Sequence, residues 1–196
     1  MRRLVCSLAL VIGLLAPTLG RAATWDLDPQ HSSVAFAVRH MMISTVRGQF
    51  RTFSATATGD PAEPEKATVE ATIDVASIDT SNEKRDTHLK SPDFFDVAQF
   101  PKMTFKSKKI EKAGDGKYKV TGDLTMHGVT KEVVLEVEGP SKPITMGNTK
   151  AGAHATARIK RKDFGITWNK AMDGGGVVVG EDVDVTIEAE AIKKNE

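Results

Sequence analysis

Eight stretches of the chain place an apolar residue at every second position, and a period of two belongs to half-buried strands rather than to helices. The sets are Val34, Phe36 and Val38; Val46, Gly48 and Phe50; Val69, Ala71, Ile73 and Val75; Met103 and Phe105; Tyr118, Val120, Leu124 and Met126; Val133, Leu135 and Val137; Ala153, Ala155, Ala157 and Ile159; and Val183, Val185, Ile187, Ala189 and Ala191. The positions between them are mostly Thr, Lys, Glu, Asp and Arg, so each strand has one dry face and one wet face.

So many amphipathic antiparallel strands must hide their dry faces together and leave no long open edge, which a sandwich or a closed barrel achieves. Ala153, Ala155 and Ala157, followed by Ala189 and Ala191, offer methyl groups where a packed core wants Leu, Ile or Phe. Small inward residues leave room. A barrel of about eight strands has an interior that side chains just fill, or that holds one small ligand when they do not. The expectation is an all-β fold with a small helical insertion, an extended antiparallel barrel around an apolar central tunnel.

The N-terminus has the three parts of a secretory signal: Arg2 and Arg3, an apolar run from Leu4 to Leu15, and small residues at Gly20 and Ala22. The run is too short to span a bilayer comfortably, and no later stretch offers a permanent membrane span. Residues 1–22 are therefore read as a signal peptide and 23–196 as one barrel domain, large enough to bury a core unaided. The only cysteine, Cys6, lies inside the signal, which leaves the mature chain without disulfide, thiolate metal ligand or cysteine nucleophile. Removing Arg2, Arg3 and Arg21 leaves 24 basic residues against 26 acidic ones, a formal charge of −2, spread along strands as a solvated wall. Nothing in that balance points to nucleic acid.

The connection from Val75 to Phe100 is too long for an ordinary hairpin and carries the only good helix signals. Thr80-Ser81-Asn82-Glu83 matches a capping box with Thr80 as cap, and the helix is expected to reach about Lys90. Ser91-Pro92-Asp93 starts a second short turn. Phe94, Phe95 and Phe100 are expected to plug or flank one side of the barrel. Asp60 to Lys66 reads as a polar loop, Ala113 to Lys117 as a hairpin turn, and Gly139 to Pro143 as a strand stop.

The run from Ser77 to Asp96, with Phe100-Pro101-Lys102-Met103-Thr104-Phe105, resembles the YceI-like family of bacterial polyisoprenoid-binding proteins. Trp25-Asp26-Leu27-Asp28 with His31-Ser32, Val38-Arg39-His40-Met41 with Val46-Arg47-Gly48-Gln49-Phe50, Gly122 to Lys131, Lys162 to Ile166 and Val179 to Val183 extend the resemblance over the mature chain, in order. It implies a lipocalin-like barrel whose tunnel takes a long isoprenoid lipid, a polyprenyl or quinone-like tail. It also implies export to the periplasm, and it is compatible with homodimers.

A polyisoprene tail has almost no hydrogen-bonding groups, so its site needs length, apolar walls and exclusion of water more than placed polar atoms. The candidate wall residues are Val34, Phe36, Val38, Phe50, Met103, Phe105, Leu124, Ala153, Ala155, Ala157, Ile159, Val185 and Ile187; the alternative for any one of them is packing on its neighbours. Met41 and Met42 are placed near a tunnel end, where unbranched thioethers adapt to a flexible ligand, or else in ordinary core. Trp168 either lines the cavity or covers its mouth, and Trp25 is expected to seal the barrel bottom. Arg85 or His88 faces a ligand head group in one reading; in the other, Arg85 and Asp79 tie the helix to the barrel by charge-assisted hydrogen bonds.

His31, His40, His88, His127 and His154 show no metal-ligand spacing, so no metal or cofactor is expected. Gly174-Gly175-Gly176 lacks the helix start and Lys-Ser/Thr of a phosphate cradle, and no Gly-x-Ser-x-Gly elbow occurs. No catalytic residue is assigned. Two alternatives to lipid binding stay open: an enzyme acting on an amphiphile through a His-Asp pair, such as His88 with Asp86 or Asp79, and a ligand-free envelope stress protein with a protein partner.

Overall fold

In the computed structural model the described residues are 22–173 and 175–194; the signal-like segment through Arg21, with Cys6, lies outside them, as does Gly174. Twelve strands and one α-helix follow one another in the order β1 (Thr24–Leu27), β2 (Ser33–His40), β3 (Ser44–Phe50), β4 (Phe53–Thr58), β5 (Thr68–Asp74), β6 (Ile78–Asp79), α1 (Glu83–Lys90), β7 (Lys102–Gly114), β8 (Lys117–Met126), β9 (Val129–Glu138), β10 (Ile144–Met146), β11 (Asn148–Lys160) and β12 (Val179–Lys193). Hydrogen bonding runs from β11 through β9, β8, β7, β5, β4 and β1 to β12, and β12 returns to β11 with a register from Lys150↔Ile192 to Lys160↔Asp182. That return closes an antiparallel barrel of eight strands.

The shorter strands are interrupted staves of the same wall. β1 and β2 lie in succession along one edge of β12, with Leu27 opposite Ala191 and Ser33 opposite Glu188. β3 and β4 are broken only at Arg51 and Thr52, and β5 turns into β6 through the 3-10 turn Val75–Ser77. Each alternating set named from the sequence forms or borders a strand. Phe53–Thr58 was not among them, yet Phe53, Ala55 and Ala57 alternate with Ser54, Thr56 and Thr58 in the same way, and this segment is β4. Alanine and threonine differ too little in polarity for the alternation to stand out.

The helix ends at Lys90 as its spacing predicts, but its cap is Asn82 and not Thr80. Ser81 takes a left-handed step (φ 58°), which sets Asn82 in extended backbone with its side chain accepting from the Arg85 amide at 3.0 Å. The Thr80 hydroxyl, now outside the helix, donates to the Asp86 carboxylate instead. No helix among the described residues is long and apolar enough to cross a membrane.

The densest packing sits at the end of the barrel that carries α1, where Val75, Ile78, Phe94, Met103, Phe164 and Ile166 are all buried and in contact. Trp25 lies at the opposite end, 6% exposed, and donates its indole N–H to the carbonyl of Gly59 at 3.2 Å. Outside, charged residues pair across neighbouring strands, as in Lys106 with Glu70 and Arg158 with Asp184. Such exposed pairs contribute less than about 1 kcal/mol each; they keep the outer wall wet and fix its register.

Candidate functional site

Cross-strand register fixes which side chains share the interior. Val34, Phe36 and Val38 on β2 stand opposite Ile187, Val185 and Val183 on β12, and these stand opposite Ala155, Ala157 and Ile159 on β11. On the far wall Ala55 of β4 faces Ala71 of β5, and Ala71 faces Phe105 of β7. β5 lies four places from β11 whichever way the barrel is followed. Alanines therefore stand on diametrically opposed walls, interspersed with Phe53, Val69 and Ile73 on one and with Ile159, Val185 and Ile187 on the other. Phe36, Val38, Ala71, Phe105, Ala153, Ala157, Val185 and Ile187 all remain half-buried although they point inward, whereas Val34, Phe50, Met103 and Ala155 are buried.

Two aromatic rings reach glycines on the neighbouring strands with their outer atoms. A Cβ added at Gly48 would fall 2.4 Å from the Phe36 ring, and one at Gly122 would fall 2.5 Å from the Phe105 ring. Each ring thus occupies the place of a missing side chain on the neighbouring strand. We expect Gly122→Ala to lower stability by about 1–3 kcal/mol, because the new methyl would also meet the Lys106 carbonyl oxygen at 2.5 Å and the main chain cannot move aside. A denaturant midpoint equal to that of wild type would show the wall to be softer than this.

Above the lumen the aromatics form a plug. Phe36, Phe50 and Phe95 follow one another at centroid distances of 5.6 and 6.1 Å. His88, Phe94 and Trp168 make a second group at 4.9 to 5.2 Å, with Trp168 half-buried against the core. Leu124 and Ile159 also pack on this core. Met41 lies apart from the inward rows, 40% exposed on the turn between β2 and β3, and Met42 beside it is 64% exposed.

The polar residues near α1 are engaged with one another. Arg85 donates to the Thr80 hydroxyl and carbonyl at 2.7 and 2.8 Å, which knots the helix to its own N-terminal turn. Asp79 is not its partner: Asp79 accepts from the Ser81 amide at 2.8 Å and from Arg51 at 2.7 and 2.9 Å, fastening β6 to the bend between β3 and β4. His88 lies 2.8 Å from Asp93, so its carboxylate partner is neither Asp86 nor Asp79. Asp86 is already held by the Thr80 amide and hydroxyl.

The Ser81 amide, and after it the Arg51 guanidinium, hold the Asp79 carboxyl below its ordinary pKa. A carboxylate depressed in the folded state adds stability above its unfolded pKa and loses it as pH falls through the lowered value. Asp79→Asn should therefore melt below wild type at neutral pH, and the gap should close in acid; a gap independent of pH would place the effect elsewhere.

One residue that the sequence does not flag organises this end of the barrel. Arg161, 4% exposed, sits in the 3-10 turn Arg161–Phe164 that follows β11. It donates to the carbonyls of Ile166, Trp168, Gly180 and Val179 at 2.8, 2.9, 2.9 and 3.3 Å. Burial pushes its pKa down, with the Glu181 charge opposing. Asn169 adds two bonds to the main chain of Val179. The loop bearing Trp168 is thereby clamped to the start of β12.

Among the described residues, Asp28, His31 and Glu190 are the one group with metal-ligand geometry. Lys150 lies 2.7 Å from Glu190 and 3.6 Å from Asp28, so a fixed ammonium already supplies the positive charge there.

A family model described as the YceI-like domain matches residues 25–191. A UPF0312 protein of Staphylococcus aureus strain MSSA476 is 41% identical over 168 residues, covering 85% of this chain and 95% of the relative. The crystal structure of Burkholderia cenocepacia BcnA superposes with a TM-score of 0.72 at 29% identity, covering 84% of this chain and 98% of its own. A polyisoprenoid-binding domain from Saccharophagus degradans, implicated in plant cell wall breakdown, superposes with a TM-score of 0.64 at 15% identity, covering 87% and 98%. At that identity the likeness shows a shared fold.

Proposed function

Since the chain belongs to the YceI-like family, we propose that it is a non-catalytic lipid-binding barrel whose lumen takes the tail of a long isoprenoid, polyprenyl or quinone-like. The observation that carries this is the placing of alanines on opposed walls of the barrel, with Phe36 and Phe105 reaching Gly48 and Gly122. A filled core places bulk where this interior places methyl groups. The described binding of the Saccharophagus degradans domain supports the choice of ligand class. Each methylene moved from water into such a lumen gives about 0.8 kcal/mol, so ten carbons supply a driving force on the order of 8 kcal/mol without any reacting group. Val38, Phe105, Ala153, Ala157, Val185 and Ile187 line the tail, and Trp168 stands over it in the clamped loop. Residues 1–22 direct the chain to the periplasm, where it carries, stores or sequesters its lipid.

The test is to purify the protein without detergent, extract it with organic solvent and identify bound lipid by mass spectrometry. A stoichiometric polyprenyl or quinone species is the expected result. An empty extract, together with no uptake of added isoprenoids, would overturn the proposal.

A further inference from the structure

The turn between β2 and β3 is built against the preferences of its own residues. The His40 carbonyl accepts from the Ile43 amide at 3.1 Å, and both central residues have positive φ, Met41 at 50° and Met42 at 61°. Those are the marks of a mirror-image type I′ turn, whose central positions favour Asn-Gly because a branched or long side chain is strained there. Here they hold two methionines, followed by Ile43, and the three are 40%, 64% and 78% exposed. Val177 adds a fourth exposed apolar side chain from the adjoining loop, which backs the turn where Gly176 meets Met42. Strain that is retained to present apolar side chains to solvent points to a surface that meets something apolar.

The charges around it say what. Arg39 donates to the Met42 carbonyl at 2.7 Å and to the Thr45 hydroxyl at 3.0 Å, and it makes no ion pair among the described residues. Neither do exposed Arg47, two turns of the pleat back on β3, or exposed Lys170 beside the loop. Asp182 shares the outer wall with Arg39 and Arg158; Glu181 is taken by Lys162 and Asp184 by Arg158. We propose that the Met41-Met42-Ile43 tip docks on a phospholipid surface with anionic head groups, the side chains entering the interface and Arg39, Arg47 and Lys170 resting on the phosphates. The tip lies outside the lumen and its docking does not depend on what the lumen holds.

Sedimentation with vesicles free of isoprenoid therefore tests this surface separately. The protein should pellet with phosphatidylcholine–phosphatidylglycerol vesicles and be released as salt is raised. The double variant Met41→Asn, Met42→Gly places the favoured residues in the turn, so it should melt no lower than wild type while binding falls at least tenfold. Ile43→Ser, at a position with no strain to relieve, should weaken binding in the same direction and guards against a misfolded double variant. Equal pelleting of variants and wild type, equal pelleting with neutral vesicles, or a wild type that stays in the supernatant would each overturn the proposal. So would a concentration-dependent dimer that the double variant dissolves, since the patch would then be covered by a second copy of the chain.

Discussion

Ala157→Phe will weaken isoprenoid binding more than about a hundredfold while leaving the barrel as stable as before. Ala157 points inward opposite Val185, which itself stands opposite Phe36, so a phenyl ring there enters the proposed lumen. It takes the room of about four methylenes, and at about 0.8 kcal/mol each their exclusion removes roughly 3 kcal/mol of binding, more than a hundredfold in affinity. In an open lumen as proposed, the ring meanwhile gains burial, and the melting temperature should hold or rise. In a filled barrel the same change would overpack the core, cost about 1–3 kcal/mol and lower the melting temperature. Thr156→Phe, one residue away on the exposed outer face, is the control and should bind as wild type does. Measurement of a fluorescent isoprenoid's affinity beside a thermal melt reads both consequences; normal binding by Ala157→Phe would refute the assignment of the lumen as the site.

Arg161→Ala will produce the largest loss of stability of any single change outside the hydrophobic core. The substitution withdraws donors from four main-chain carbonyls in a buried to partly buried site. A buried polar group left without its partner costs about 1–3 kcal/mol, so several carbonyls losing donors together should lower the melting temperature by roughly 10 °C in a domain of this size. Arg161→Lys should recover only a small part, since an ammonium cannot spread its donors over carbonyls on two sides as the planar guanidinium does. The loss should be local before it is global. Amide exchange in the segment from Gly165 to Val178 should accelerate in Arg161→Lys at temperatures where the strands stay protected, and uniform exchange throughout the barrel would contradict a clamp on that loop.

Much of the wall could be read from the chain because strand parity is a local property. Val34, Phe36 and Val38, or Val183, Val185 and Ile187, announce their dry face within a few residues, and the structure keeps that face inward. The same reasoning lost β4, whose alternation is carried by alanine against threonine, and it misplaced the helix cap, since a left-handed Ser81 is a choice the preceding strand imposes on the turn. The pairings of charged residues were the least legible. Asp79 meets Arg51 from 28 residues away, and His88 meets Asp93 because the chain turns at Ser91 and Pro92, where the Phe94 and Asp96 amides both return to the Ser91 carbonyl. Arg161 carried no signal at all: a charged residue at the end of a strand ordinarily faces water, and only the fold of the following loop shuts water out around it.

Sequence by itself determined most of the longer strands, their inward rows and the small residues on some of them, because side-chain alternation and residue volume are properties of each short segment. Only the tertiary structure decided that the alanines of β4 and β5 stand across the axis from those of β11 and β12, that Phe36 and Phe105 reach glycines, and that Arg161 holds the loop above them. Those facts depend on the order in which strands join and on the closing of β12 against β11, and no local pattern encodes which wall a residue will face once the ring is shut.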